Sequence, residues 1–260
     1  MDANKQPDYT QYRTQSIAQK LFDCATAFNR LIDTKYHIVL GRSGKSVAFD
    51  LTFSRYDCHH LMGIHYLTDR PDRRSRAKIF DDILNSGSYR QHLATSDFWN
   101  EKTLNRVSCT TILEQLIDDN RTIFHFNPKR TRHYSEIRAE YLMVNKDVEI
   151  PSLLIEAPRH SSVCSDPSDK ADTDNTTDLQ EAHMQDAPET QDNSASITSH
   201  DVYIFIDKRN NSDERYCKSI FPKTKLDYTE GQAVWTLLYK EKITYGSSAV
   251  LYHHKGYVVP

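Results

Sequence analysis

A long acidic segment interrupts this chain and limits what the chain can fold into. Residues 160–200 contain nine acidic residues, one basic residue, Lys170, and no aromatic residue. A segment of this composition buries too little apolar surface to offset the conformational entropy that ordering would cost. We therefore predict a disordered acidic insert over residues 159–200, which divides the sequence into a longer first part and a shorter second part.

The insert also conceals the charge of the rest of the chain. The whole sequence carries 33 Lys and Arg residues against 36 Asp and Glu residues, a formal net charge of −3. The nine acids and one base of the insert contribute −8, so the remaining residues carry +5. The chain is thus a mildly basic body with an acidic segment inserted in it.

Composition excludes several classes of protein. No apolar run approaches the roughly 18 residues that a membrane-spanning helix needs, and residues 1–15 have no apolar signal region, so we predict a cytoplasmic protein without a membrane partner. The motifs GxGxxG and GxxxxGK[ST] are absent, which disfavours dinucleotide and P-loop chemistry. The cysteines are far apart and never form CxxC, so we predict reduced thiols at Cys24, Cys58, Cys109, Cys164 and Cys217.

The first part of the chain has the pattern of helices around a β-hairpin. Residues 1–15 are polar, and we predict a flexible N-terminus there. Apolar residues at a helical period predict a helix over 16–33, and two β-branched and aromatic runs predict a hairpin with Arg42 and Lys45 in its turn. The remaining predicted elements are helices over 55–67, 73–86 and 107–117, helical turns at 88–92 and 96–99, and strands over 36–41, 46–53, 122–128 and 137–145.

The part after the insert has the pattern of strands alone. Strands are predicted over 201–207, 215–222, 233–243 and 249–259, and the absence of helices between them predicts an antiparallel meander. These strands are too few to form a domain by themselves, so we expect them to complete the sheet begun before the insert. We predict one α+β domain over 16–258, an antiparallel β-meander with a helical segment packed on it, interrupted by the insert, since a long loop costs little extra closure entropy.

Three histidines lie close together in the sequence HHLMGIH. On the predicted helix, His60 and His65 border the apolar stripe, whereas His59 points towards solvent. A metal site is not expected, because HExxH is absent and these spacings do not present two imidazoles to one ion. Two interpretations stay open: the histidines have a structural or solvated role, or an imidazole acts as a general acid or base near neutral pH.

Cations recur on the predicted strands and in the connections. Alternation places Lys240 and Lys242 on one face of the strand over 233–243, beside Arg215 and Lys218 on the preceding strand. Such a row of cations can bind an anion such as a phosphate; the alternative is a solvated sheet face. Basic runs and 15 tyrosines are also typical of surfaces that hold single-stranded RNA, and ordinary surface charge is the alternative.

Several longer motifs resemble a known family. The runs YHIVLGRSGKSVAFDLTFSRYDCHHLMGIHYLTD, FHFNP, AEYLMV, VYIFI and DYTEGQAVWTLLYKEKITY resemble the fourth group of phage-associated Barnase–EndoU–colicin–RelE-like nucleases. The likeness covers residues 34–258 apart from the insert. It implies a compact α+β fold and a ribonuclease that needs no metal or other cofactor. In relatives of this fold the ribose 2′-hydroxyl attacks the adjacent phosphate and leaves a 2′,3′-cyclic phosphate and a free 5′-hydroxyl.

The resemblance also suggests roles for individual residues. His60 is the first candidate for the general base or acid, with His59 as the alternate, and Lys240 and Lys242 would stabilise the phosphate. The residues expected to bind substrate are Arg42, Lys45, Arg55, Arg215 and Lys218. The implied partners are RNA and, for a toxin or effector of a phage or mobile element, an immunity or antitoxin protein. The alternative is a non-catalytic module that binds nucleic acid or protein on the same scaffold.

Overall fold

Helices and strands both contribute to the fold in the computed structural model, which describes residues 9–131, 135–150, 199–210 and 212–259. The described residues contain six α-helices: α1 (Tyr9–Leu31), α2 (Arg55–Leu61), α3 (Arg76–Asn85), α4 (Gly87–Ala94), α5 (Glu101–Thr111) and α6 (Leu113–Asp119). They also contain eight strands: β1 (Thr34–Arg42), β2 (Lys45–Thr52), β3 (Thr122–His125), β4 (Tyr141–Glu149), β5 (Ser199–Lys208), β6 (Arg215–Pro222), β7 (Ala233–Thr244) and β8 (Ser247–His253). The predicted α+β class is confirmed.

Two predicted segments fall largely outside the described residues. The acidic insert lies outside them except for residues 199 and 200, which already belong to β5. The predicted flexible N-terminus lies outside them over residues 1–8, whereas residues 9–15 form the first turns of α1. Those turns are held from outside the helix, because Arg13 Nη2 donates a hydrogen bond to the carbonyl oxygen of Trp99 at 3.0 Å.

The predicted hairpin is confirmed as β1 and β2. The strands pair antiparallel from Lys35 opposite Thr52 to Arg42 opposite Lys45. The two turn residues, Ser43 and Gly44, have φ of 49° and 76°, which is the left-handed backbone that a two-residue hairpin turn requires.

A glycine shortens the predicted helix over 55–67. The helix α2 begins as predicted, since Ser54 N donates to Asp57 Oδ2 at 2.8 Å in a capping box. It ends at Leu61, because Gly63 has φ of 76°, and a single 3₁₀ turn, Ile64–Tyr66, follows. A Cβ on Gly63 would lie 3.3 Å from side-chain atoms of Arg106 and Tyr66. This reversal of the chain carries the later residues of HHLMGIH back towards α2.

The predicted helix over 107–117 is two helices, α5 and α6, which meet at Ile112. Two hydroxyls in the last turn of α5 bind backbone carbonyls of the preceding turn: Thr110 Oγ1 donates to Arg106 O at 2.7 Å, and Thr111 Oγ1 to Val107 O at 2.8 Å. Bonds of this kind bend helices, which explains why the helix does not continue straight through this point.

All described strands belong to one sheet that closes on itself. The order is β1-β2-β6-β5-β4-β3-β7-β8, and β1 also pairs with β7, so seven strands form a closed ring and β8 extends from β7. The closure between β2 and β6 rests on one parallel pair, Leu51 opposite Arg215. As predicted, strands after the insert complete the earlier sheet, because β5 pairs with β4 and β7 pairs with β1 and β3.

The predicted meander of the last four strands is wrong. β5 pairs with β6 and β7 pairs with β8, but β6 and β7 are not neighbours. The connection between them leads to β3 instead, where Gln232 Nε2 donates to Asn127 O at 3.0 Å and Gln232 Oε1 accepts from Asn127 N at 2.8 Å. β7 then hydrogen-bonds on both sides, to β1 along one edge and to β3 and β8, one after the other, along the other edge.

The core lies mainly between the helices and the sheet. Phe28 of α1 is buried there and makes edge contacts with Phe53, which follows β2, and with Phe80 of α3. Cys24, Cys58, Cys109 and Cys217 are buried and form no disulfide, which confirms the predicted thiols at these positions, whereas Cys164 lies outside the described residues. In the described part of the chain no helix is both long enough and apolar enough to span a membrane.

Candidate active site

The histidines of HHLMGIH form one cluster. His59 and His60 occupy the last turn of α2, and His65 lies in the 3₁₀ turn after Gly63. The rings of His60 and His65 stack with centroids 4.3 Å apart, and the ring of His59 lies 6.2 Å from that of His65. The Tyr66 ring packs against the His65 ring, and their centroids are 4.0 Å apart. His59 is not directed fully to solvent as predicted, because its Nδ1 is buried and has no hydrogen-bond partner among the described residues.

The surroundings of the cluster keep its imidazoles neutral. Burial, together with the charge of Arg76, lowers the pKa of His59 to about 4. Burial, together with His60 and Arg106, lowers the pKa of His65 to about 4. The pKa of His60 is also lowered, by burial and by the charges of three nearby cations. Near pH 7 each ring therefore has a nitrogen that can accept a proton.

Those three cations come from three different elements. They are Arg76 at the start of α3, Arg106 in α5 and Lys218 in β6. Among the residues that the structure describes, neither Arg76 nor Arg106 forms an ion pair with a carboxylate. Lys218 contacts Asp207 at 2.5 Å. The cluster therefore lies in a positive field that is only partly compensated, which favours an anionic ligand.

Arg106 is the least accessible of these cations. It is 5% exposed, and its Nη1 donates to Ser219 Oγ at 3.1 Å. Its guanidinium lies 5.5 Å from the ring centroid of Tyr66 and 5.3 Å from that of Phe221. Contacts of this kind stabilise a cation without neutralising its charge.

A cavity of about 610 Å³ adjoins Tyr66 and Arg106. It lies between α5, the end of β6 and the following loop, and its lining includes Lys102, Phe221 and Tyr228. Neutral imidazoles can act as general bases, cations can stabilise phosphoryl oxygens, and aromatic walls can stack on bases. The region therefore contains the groups that cleavage of a phosphodiester requires.

The structure does not bring Lys240 and Lys242 to the histidines. Lys240 is 1% exposed, and its Nζ donates to the carbonyl oxygens of Ile117, Asp118 and Asn120 at the end of α6. Burial, together with the charge of Arg121, lowers the pKa of this ammonium to about 7. Lys242 Nζ contacts Glu114 Oε1 and Asp118 Oδ2, each at 2.8 Å. Both lysines therefore fasten α6 to β7, and their predicted role at the phosphate has no support in this geometry.

The expected row of cations across two adjacent strands is also wrong. Arg215 and Lys218 lie on β6, which is not a neighbour of β7. Arg215 Nε instead contacts Glu140 Oε2 at 3.0 Å, and Lys218 is the one predicted substrate-binding residue that shares the surroundings of His60. Other strands separate β6 from β7 on both sides of the closed sheet, and the local sequence pattern does not reveal this order.

The other predicted substrate-binding cations lie at the surface. Arg42 and Lys45 flank the exposed hairpin turn. Arg55 begins α2 and contacts Asp81 at 3.2 Å. A role for these three in substrate binding stays a prediction.

Sequence reasoning missed the two arginines of the cluster. Arg76 lies within the basic run of residues 70–78, but nothing in this run indicates which cation faces the histidines. Arg106 had a more specific signal, because it lies on the buried face of α5 between Leu104 and Val107. A charged residue among apolar neighbours on the inner face of a helix is unusual and indicates a partner.

A second polar group lies on the paired strands β1 and β2. His37 Nδ1 contacts Asp50 Oδ1 at 2.8 Å, and Lys35 Nζ contacts Asp50 Oδ2 at 3.1 Å. Tyr239 lies 6.3 Å from the His37 ring and 6.0 Å from the His253 ring. This group has imidazoles, but its lysine is already paired with a carboxylate. We therefore regard the cluster of His59, His60 and His65 as the better candidate.

The chain was compared with protein families, curated proteins and solved structures. The sequence model of the family described as phage-Barnase-EndoU-ColicinE5/D-RelE like nuclease 4 matches residues 20–186, more than half of the chain. The match includes α2, α3 and α5 and ends before β6, so the motifs of the last strands lie outside it. No curated protein and no solved structure matches the chain significantly. The chain thus belongs to the phage-Barnase-EndoU-ColicinE5/D-RelE like nuclease 4 family, as the motifs around the clustered histidines had indicated.

Proposed function

We propose that the protein is an endoribonuclease that cleaves RNA without a metal ion and acts on cytoplasmic RNA as a toxin or effector of a phage or mobile element. The observation that carries the proposal is the position of the His60–His65 stack beside Arg76, Arg106 and Lys218. A phosphodiester bound there would face three cations, and the imidazoles beside it would be free to take up a proton. RNA carries the 2′-hydroxyl that such a base can activate.

The proposed reaction needs only groups of the RNA and of this cluster. His60 takes the proton of the 2′-hydroxyl as O2′ forms a bond to phosphorus, and the bond from phosphorus to O5′ breaks. His60 then gives the proton that it has taken up to O5′ as this bond breaks. The three cations stabilise the charge that develops on the phosphoryl oxygens. The products are a 2′,3′-cyclic phosphate and a 5′-hydroxyl, and His59 is the alternate for the base because it lies next in the cluster.

End-labelled RNA incubated with the purified chain in EDTA tests this proposal. We expect cleavage that leaves cyclic phosphate and 5′-hydroxyl ends, and a loss of about 10²–10⁴-fold in rate for His60→Gln. His37→Gln is the matched control, because it removes an imidazole from the second polar group, and its rate should stay near that of the parent.

Three results would contradict the proposal. Retention of RNA without cleavage would favour the non-catalytic module. Products with other end groups would exclude attack by the 2′-hydroxyl. A loss of activity in His37→Gln but not in His60→Gln would move the active site to the group of His37 and Asp50. Growth arrest on expression, relieved by His60→Gln, would support the toxin role and justify a search for an immunity or antitoxin protein.

A further inference from the structure

We propose that the cavity beside Arg106 binds a guanine base of the RNA next to the phosphate that is cleaved. The inference rests on the proposed function and names the part of the substrate that this region selects. It goes beyond the chemistry of cleavage, which needs only the imidazoles and the phosphate.

The cavity is connected to the histidine cluster through shared residues. Tyr66 packs against His65 at 4.0 Å and also lines the cavity. Arg106 contributes to the charge felt by His60 and lines the cavity as well. A nucleotide with its phosphate at the imidazoles would therefore place an adjoining base at the mouth of this cavity.

The walls of the cavity suit a flat aromatic ligand. Tyr66, Phe221 and Tyr228 supply three aromatic side chains, and the volume of about 610 Å³ lies in the range usual for small-ligand sites. Stacking on aromatic rings is a common way to hold an unpaired base. Exposed carboxylates at Glu101 and Glu136 also belong to the lining. They would repel a phosphate and attract hydrogen-bond donors, so they favour a base over a second phosphate.

One donor of Arg106 has no partner among the residues that the structure describes. Nη1 is engaged by Ser219, but Nε is buried and has no hydrogen-bond partner in the described part of the chain. A buried donor without a partner costs free energy, and this donor belongs to a side chain that is 5% exposed and borders the cavity. The site is therefore built to receive an acceptor from a ligand.

Guanine has the acceptor pattern that this arginine can bind. Its O6 and N7 lie side by side and accept two parallel hydrogen bonds from one arginine. Adenine carries an amino donor in place of O6, and pyrimidines have no N7. The N1–H and N2–H donors of guanine would also find acceptors at Glu101 and Glu136. Guanine is thus the base that satisfies both kinds of polar group in the lining.

Titration calorimetry of the full chain with 3′-GMP, 3′-AMP, 3′-UMP, 3′-CMP and inorganic phosphate tests the inference. We expect 3′-GMP to bind at least tenfold more tightly than the others. Arg106→Lys keeps the charge but loses the paired donors, so it should remove this preference.

Because Arg106 is buried, its substitution can also disturb folding, and a second variant at a more exposed residue tests the inference independently. Leu226→Trp should fill the cavity from its rim, where Leu226 is 39% exposed, and should weaken 3′-GMP at least tenfold. Lys225→Trp adds the same side chain beside it, at a residue outside the lining, and should bind 3′-GMP like the parent.

Equal binding of all nucleotides, binding of inorganic phosphate as tight as that of 3′-GMP, or normal 3′-GMP binding by Leu226→Trp would overturn the inference. Failure of this inference can be separated from failure of the proposed function. Cleavage to cyclic phosphate ends with no preference for a neighbouring guanosine would leave the ribonuclease and remove the guanine site. Selective 3′-GMP binding without cleavage would do the reverse.

Discussion

Two regions of this protein gather cations, and they use them in opposite ways. At the end of α6, Lys240 gives all its donors to backbone carbonyls and Lys242 lies between two carboxylates. At the histidine cluster, Arg76 and Arg106 have no carboxylate partner among the described residues, and Arg106 keeps an unpaired Nε. A cation whose donors are occupied by its own chain holds the fold together, whereas one without such partners is available to a ligand.

The largest effect on stability is expected at Lys240. Lys240→Ala leaves three carbonyls without their donor in a buried place, so it should lower the free energy of unfolding by about 3 kcal/mol or more. Lys240→Met fills more of the volume and should lose less. Chemical denaturation measures both. Cleavage per folded molecule should be unchanged, and a loss of cleavage in fully folded Lys240→Met would return this lysine to the active site.

A smaller effect is expected when one charge is removed from each region. Arg76→Gln should slow RNA cleavage about tenfold and should lower the slope of log affinity against log salt by roughly 0.7, the value for one phosphate contact on a single strand. Lys242→Gln removes one charge from the other region and should change neither quantity. Rates and binding at a series of salt concentrations provide the measurement. Equal effects of the two substitutions would erase the distinction between the regions.

A change of stability with pH is expected from protons alone. Burial keeps the pKa of His59 and His65 at about 4 in the folded chain, against about 6.5 when unfolded. Between these values the unfolded chain binds more protons, so the free energy of unfolding should fall as the pH falls from about 6.5 to 4.

Denaturation at a series of pH values measures this slope. His59→Gln should flatten it, whereas Lys242→Gln should leave it unchanged, since no histidine adjoins that lysine in the contacts described. A slope that His59→Gln does not alter would mean that its imidazole is solvated in the folded chain.

Local signals in the sequence predicted local structure well. The period of apolar residues indicated α1, and the two β-branched and aromatic runs on either side of the turn indicated the hairpin. These features depend on residues a few positions apart, where backbone preference and hydrogen bonding act directly. The predicted ends of these elements were less accurate, because the predicted helix over 55–67 ends early, before Gly63.

The histidines of the candidate site could be predicted from the sequence, whereas the cations around them could not. The histidines were visible because they are adjacent in the sequence, and His60 was singled out by its motif. Arg106 and Lys218 come from elements far along the chain, so their approach to His60 depends on how α5 and β6 pack on α2. Lys240 was misjudged for the same reason, since alternation along β7 does not reveal that α6 covers one of its faces.

By itself the sequence determined the type of most elements, the acidic composition of the insert and the family of the chain. The tertiary structure alone decided that β7 lies between β1, β3 and β8, that the sheet closes, and which cations meet the histidines. The physical reason is one of range. Propensity and periodicity act between near neighbours, whereas strand partners and the neutralisation of a charge are set by residues that only the folded chain brings together.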